Sequence, residues 1–158
     1  MQPNVLPRPD LEQLNINYRR IPLLSIGKDV YCDTRLILRK LEALFPQGAL
    51  GGSTGDQKVI ERLLERWTGD AGVFVRAAQL IPLTFPAMKD DKFIKDREQL
   101  SGRPWKREAL ARARPEAMVQ IRDAFEILET TILADGRDWI FNTEKPTLGD
   151  IEGKSRYM

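Results

Sequence analysis

Histidine is absent from the 158-residue chain, and cysteine occurs once, at Cys32. Without histidine there is no imidazole general base, no Ser-His-Asp triad and none of the commonest metal ligand. A single cysteine excludes an internal disulfide and a cysteine-cluster metal site, and it suits a reducing compartment. No apolar run approaches the roughly 20 residues of a membrane-spanning helix, and the N-terminus carries no apolar signal region. The formal net charge of +2 is too close to balance to argue for nucleic acid or an anionic membrane. What is present, 42% hydrophobic and 30% charged residues, is the balance of a soluble globular protein with a real core. The expectation is a cytoplasmic chain with no metal, no nucleic-acid partner and no membrane partner.

The most informative stretch runs from Tyr18 to Ile37. Leu23, Leu24 and Ile26 form a short apolar run, Gly27-Lys28-Asp29 is a turn signal, and Val30-Tyr31 begins a second strand-forming run. Asp33 or Thr34 can then cap a helix with apolar positions Leu36, Ile37, Leu41 and Leu44. Pro22 stands at the first strand's mouth, where a missing N–H is tolerated. Backbone groups beside it stay open to an extended peptide. The helix N-terminus offers free N–H groups and a positive dipole end for a carboxylate. A peptide-like acid can therefore lie along Ile21 with its carboxylate at Thr34. A purely structural hairpin followed by a capped helix is the competing reading.

The flanking regions read as follows. Pro3, Pro7 and Pro9 keep the opening segment extended, and Asp10 can cap a short helical turn with Leu11 and Leu14. Gly51-Gly52-Ser53-Thr54-Gly55 lacks the Gly-Lys-Ser/Thr ending of a phosphate loop and reads as a flexible connection. Val59, Ile60, Leu63, Leu64 and Trp67 define one helical face, and Val73, Phe74, Ala77, Ala78 and Ile81 a second, stopped by Pro82. Lys and Arg outnumber Asp and Glu between Met88 and Arg114, with Phe93 and Trp105 among them. Acids are interleaved with the bases, which is the pattern of a solvated face rather than a nucleic-acid surface. Residues 103–114 read as a connection. Pro115 suits a helix's first turn, and Met118, Ile121, Phe125, Leu128 and Ile132 follow as a narrow stripe ending at Asp135-Gly136. Thr147 and Asp150 have capping-box spacing. Cys32, at a strand-to-helix junction, is either a thiol activated by the helix end or a small buried hydrophobe.

Two of these segments carry a resemblance. Arg20-Ile21-Pro22-Leu23-Leu24, the Gly27-Lys28-Asp29 turn and Val30-Tyr31-Cys32-Asp33-Thr34-Arg35-Leu36-Ile37 resemble the second half of the thioredoxin-like domain of glutathione S-transferases. Thr147-Leu148-Gly149-Asp150-Ile151 resembles the Thr-x-Ala-Asp-Ile box that opens a central helix of that family's α domain, with Gly149 where alanine is usual. The Pro-rich opening and the long 84–114 insertion look most like a divergent, fungal-type member.

The resemblance implies an α+β, mostly α fold. Residues 1–47 would be a partial thioredoxin-like domain lacking the first strand and helix, and 48–158 a partial all-α helical domain, truncated at both ends. Pro22 would be the family's cis-proline. Ile21 would bind the cysteinyl part of glutathione through its main chain, and Asp33-Thr34 would hold the γ-glutamyl end where the family has Glu-Ser. The family's thiol-activating residue would precede Met1, so no catalytic residue is assigned. Glutathione as substrate, a small electrophile and a homodimer are the implied partners. Three functions follow: a glutathione transferase, weak or inactive as written; a non-catalytic binding protein that kept the groove; or an incomplete fragment.

Overall fold

A computed structural model describes residues 5–69 and 72–154. Its sheet is a single hairpin, β1 (Leu23–Ile26) and β2 (Asp29–Cys32), antiparallel with Leu23 opposite Cys32 and Ile26 opposite Asp29. Asp29 belongs to the strand, so the turn is only Gly27-Lys28. Gly27 has φ +62°, which fits a hairpin turn needing glycine at its first central position. Everything else described is helical or irregular. None of the described helices is long and apolar enough to cross a membrane.

The helices are α1 (Pro9–Gln13), α2 (Thr34–Leu44), α3 (Gly55–Thr68), α4 (Val73–Gln79), α5 (Asp91–Ser101), α6 (Arg107–Ile127) and α7 (Leu148–Lys154). Asp10 lies inside the first turn of α1; Arg8, not Asp10, occupies its cap position. On α2 only Ile37 is fully buried, while Leu36 and Leu44 of the expected apolar face are exposed. The Gly-Gly-Ser-Thr-Gly stretch leads into α3, with Thr54 as its N-cap and Gly55 as its first residue. Thr54 and Gln57 form a reciprocal capping box, each backbone N–H meeting the other's side chain at 3.2 Å.

The inward face of α3 differs from the periodic one. Glu61, Leu64 and Thr68 are buried, whereas Val59 and Leu63 are 58% and 61% exposed. Helix α7 packs on the Leu64 side. A Cβ on Gly153 would stand 2.7 Å from Ile140 and 3.7 Å from Leu64. Close approach there requires a residue without a side chain. The polar Glu61 and Thr68 turn inward because backbone groups wait for them: Thr68 donates its hydroxyl to the Leu64 carbonyl at 2.8 Å.

Helix α6 begins at Arg107, so the expected connection over 103–114 is mostly helix, and Pro115 sits inside it rather than at its start. Leu110, Ala117 and Ala124 are its buried positions, and Leu128 is buried just beyond its end. Met118 and Phe125 from the expected stripe are exposed at 42% and 38%. Small Ala117 and Ala124 are its most deeply buried positions, and α4 packs against this helix. Arg114 reinforces this by donating to the Leu80 carbonyl at the end of α4 at 3.0 Å. Beyond Ile127 the chain widens into a π-helical turn, Leu128–Ile132, where Leu133 N–H reaches back to Leu128 O at 2.9 Å. Thr130 and Thr131 donate their hydroxyls to the carbonyls of Glu126 and Ile127, competing with the regular ladder.

Met88, Trp105 and Leu110 form the core's centre, with Ile81, Phe93 and Ile94 packed against it. Phe93 meets Trp105 edge-to-face with ring centroids 6.2 Å apart. The aromatics of the basic middle segment are therefore core residues.

Candidate functional site

The hairpin register decides what the candidate ligand residues can do together. With Leu23 opposite Cys32, the residues just outside the ladder, Ile21-Pro22 and Asp33-Thr34, fall at the same end of the sheet. The Ile21–Pro22 peptide bond is cis. Ile21 is 72% exposed, Pro22 and Asp33 are exposed, and Thr34 is half-buried. All four residues singled out from the sequence are thus brought to one accessible edge.

Asp33 caps α2. Its carbonyl accepts from Ile37 N–H at 3.0 Å, and its carboxylate takes a long 3.4 Å bond from Arg35 N–H. Among the described residues, the N–H groups of Thr34 and Leu36 have no acceptor. They are the unpaired donors that every helix N-terminus leaves. Asp33 also has φ 75° and ψ 134°, a backbone conformation that residues with a side chain rarely adopt. Arg35, next along, turns away to pair with Glu65 of α3 at 2.7 Å and leaves the edge uncovered.

The second resembling segment is a buried latch. Asp150 is 3% exposed and accepts three hydrogen bonds: from Ile140 N–H at 2.7 Å, Thr147 N–H at 2.8 Å and the Thr147 hydroxyl at 2.9 Å. The carboxylate reaches back to the cap N–H as the spacing predicts. The hydroxyl donates to that same carboxylate, so only half of the reciprocal box is closed in the usual sense. Gly149 suits this latch, because a Cβ there would stand 2.7 Å from the Phe141 ring. Thr147 and Asp150 position α7 and touch no open surface.

Three carboxylates outside the sequence reading do comparable work. Glu42 of α2 accepts from Leu50 and Gly51 N–H at 2.8 and 3.0 Å, and Glu61 of α3 accepts from Gly52 N–H at 2.7 Å. Leu148 N–H then donates to Leu50 O at 2.9 Å, so the 50–52 segment joins α2, α3 and α7. Burial pushes the Glu61 carboxyl above the usual carboxylate range, with Glu42 adding to it. The third is Asp96 of α5, which anchors the opening segment through Arg19 and Leu6 N–H. Glycines with free N–H groups beside glutamates were the available signal for the first two; nothing local marks Asp96. Among the described residues there is no group of three or more His, Cys, Asp or Glu placed to hold a metal ion.

A family profile described as "Domain of unknown function (DUF7962)" matches residues 76–155. The match includes Asp96 and the Thr147–Asp150 latch and leaves the Ile21–Thr34 edge outside it. No curated protein matches the chain.

Proposed function

We propose that this chain, which belongs to the family described as "Domain of unknown function (DUF7962)", is a glutathione S-transferase-like protein holding glutathione along the open end of its hairpin. In this assignment residues 1–47 are the second half of a thioredoxin-like domain and 48–158 part of an all-α transferase domain. Ile21 offers its main chain to the cysteinyl unit. Asp33 and Thr34, with the first-turn N–H groups of α2, receive the charged γ-glutamyl end.

The single observation that carries this is the Leu23–Cys32 register, which brings Ile21-Pro22 to the same end as Asp33-Thr34. The cis bond at Pro22 and the unusual backbone of Asp33 support it. The buried Thr147–Asp150 latch agrees with the second resembling segment. These groups bind and orient a peptide. None of the four lowers a thiol's pKa in the way conjugation requires, so binding is the primary activity proposed and transfer to a small electrophile the secondary one. The exposed Val59 and Leu63 on α3 support a homodimer through that face.

Calorimetric titration with glutathione tests the site. Saturable heat and a raised melting temperature are expected. No heat, with an unchanged cooperative melt in excess glutathione, removes the assignment. An assay with a generic aryl-halide electrophile then separates enzyme from binder, and little turnover is expected.

A further inference from the structure

Cations collect where α2 meets α3. Arg35, Arg39 and Arg62 converge on Glu65, at 2.7, 3.9 and 2.9 Å. One carboxylate balances one guanidinium, so the group keeps surplus positive charge, and Arg39 and Arg62 are each 59% exposed. Arg62 also borders a shallow depression of about 360 Å3 on α3, whose other lining residues are Lys58, Val59, Leu63 and Arg66. Lys58 and Arg66 are exposed and have no ion pair among the described residues. Glu42 and Glu61, on the same two helices, are occupied by backbone N–H groups of the 50–52 segment. The remaining acid of these helices is Asp56, in the first turn of α3. In a chain whose net charge is only +2, five cations around one carboxylate are a local excess.

We propose that this face docks an acidic, amphipathic helical segment of a partner protein. Its apolar residues would lie on Val59 and Leu63, and its carboxylates on Lys58, Arg66 and the exposed guanidinium groups of Arg39 and Arg62. Arginine clusters of this kind recognise acidic motifs, and aliphatic residues one turn apart suit the anchors of a docked helix. Charge selects the occupant. A two-fold contact between copies sets each cation group against its like, so an acidic segment would compete with a second copy for this face. The depression has no aromatic side chain to insert into a lipid interface, and nucleic-acid phosphates make no use of Val59 and Leu63.

The probe is a synthetic helix of about 20 residues with leucine along one face and glutamate along the other. It is titrated into the whole chain while backbone amides are followed by nitrogen-15 NMR. Saturable binding that weakens with salt is expected, with shifts centred on Val59, Arg62 and Leu63. Replacing the peptide's leucines with serine should weaken it at least tenfold. Lys58→Glu combined with Arg66→Glu should do the same, and both positions are exposed and unpaired, so the melt should be retained. No saturable binding, equal affinity for the serine peptide, or shifts centred elsewhere would each overturn the proposal. Tighter binding to phosphatidylserine vesicles or to duplex DNA would overturn it as well, by giving the face to a membrane or a nucleic acid. All of these comparisons use the unaltered chain. Light scattering on the same samples reports the homodimer separately: a chain that is monomeric throughout removes the dimer through α3 and leaves the docking result standing. Neither measurement depends on glutathione.

Discussion

Arg19 and Asp96 are 77 residues apart in the chain and meet at 2.8 Å, the Arg19 guanidinium also donating to the Asp96 carbonyl at 3.1 Å. On its other oxygen Asp96 takes Arg97, and Leu6 N–H adds a longer bond at 3.3 Å. One nearly buried carboxylate thus ties the segment leading to Pro22 onto α5. The candidate edge owes its position to a helix from the far half of the chain.

Replacing Asp96 should therefore loosen the opening segment. Asp96→Asn keeps the volume but leaves two guanidinium groups facing an amide, and about 2 kcal/mol of stability should be lost. Burial opposes ionisation of Asp96, yet the hydrogen bonds from Arg97 and Leu6 and the nearby Arg19 prevail and lower its pKa. A depressed folded pKa contributes stability above the unfolded value, near 3.9, and that contribution fades as pH falls through the folded one. Urea midpoints should separate wild type from Asp96→Asn at pH 7 and converge in strong acid. Equal separation at both extremes would contradict the assignment.

Glu61 should have the opposite slope. Its carboxyl is raised by burial, so its contribution is full below the unfolded pKa, near 4.3, and is lost as pH climbs through the higher folded value. Glu61→Gln removes the titration, and the variant's stability should fall less than wild type between pH 4 and 7. Parallel pH profiles for the two proteins would show that Glu61 is not strained by its burial.

Asp150 is the tightest latch. Asp150→Asn turns an amide N–H₂ toward donors that now meet carboxylate oxygens, a loss of about 2–4 kcal/mol. Thr147→Val removes one of the three bonds and should cost about 1 kcal/mol. Denaturant titrations that rank Thr147→Val as the more damaging change would overturn this description of the latch.

The contrast among these residues explains what was legible beforehand. The hairpin, the Asp33 cap of α2 and the Thr147–Asp150 spacing are local patterns, set by neighbours within a few positions, and the fold keeps them, whereas the expected Asp10 cap is not kept. Which face of a helix turns inward is not local. On α3 the apolar Val59 and Leu63 stay outside while Glu61 and Thr68 go in, Glu61 to accept from Gly52 N–H outside the helix and Thr68 with its hydroxyl satisfied one turn back on the Leu64 carbonyl. On α6 the most deeply buried positions are small, Ala117 and Ala124, while Met118 and Phe125 of the larger stripe are exposed. Pro115 likewise reads as a helix start, yet the helix runs through it. Tertiary packing outweighs the roughly 3 kcal/mol that an interior proline costs. Asp96 could not be singled out at all, since its significance lies in distant partners, Arg19 and Leu6.

Asp33 offers the sharpest test of the hairpin site because stability and binding should move in opposite directions. Its φ of 75° with ψ 134° costs a residue with a side chain about 1–3 kcal/mol, and glycine adopts such values freely. Glycine is also an acceptable N-cap, so little is lost at the start of α2, where the existing side-chain bond is already long at 3.4 Å. Asp33→Gly should therefore stabilise the chain by about 1 kcal/mol in urea. The same change removes the carboxylate proposed to meet the amino group of the γ-glutamyl unit, so glutathione should bind several-fold more weakly. A destabilised variant would mean that the Asp33 side chain supports the fold. A more stable variant that binds glutathione unchanged would place the peptide elsewhere. Only the combination of a firmer fold and a weaker ligand fits a residue held in an unfavourable backbone conformation for the sake of what it binds.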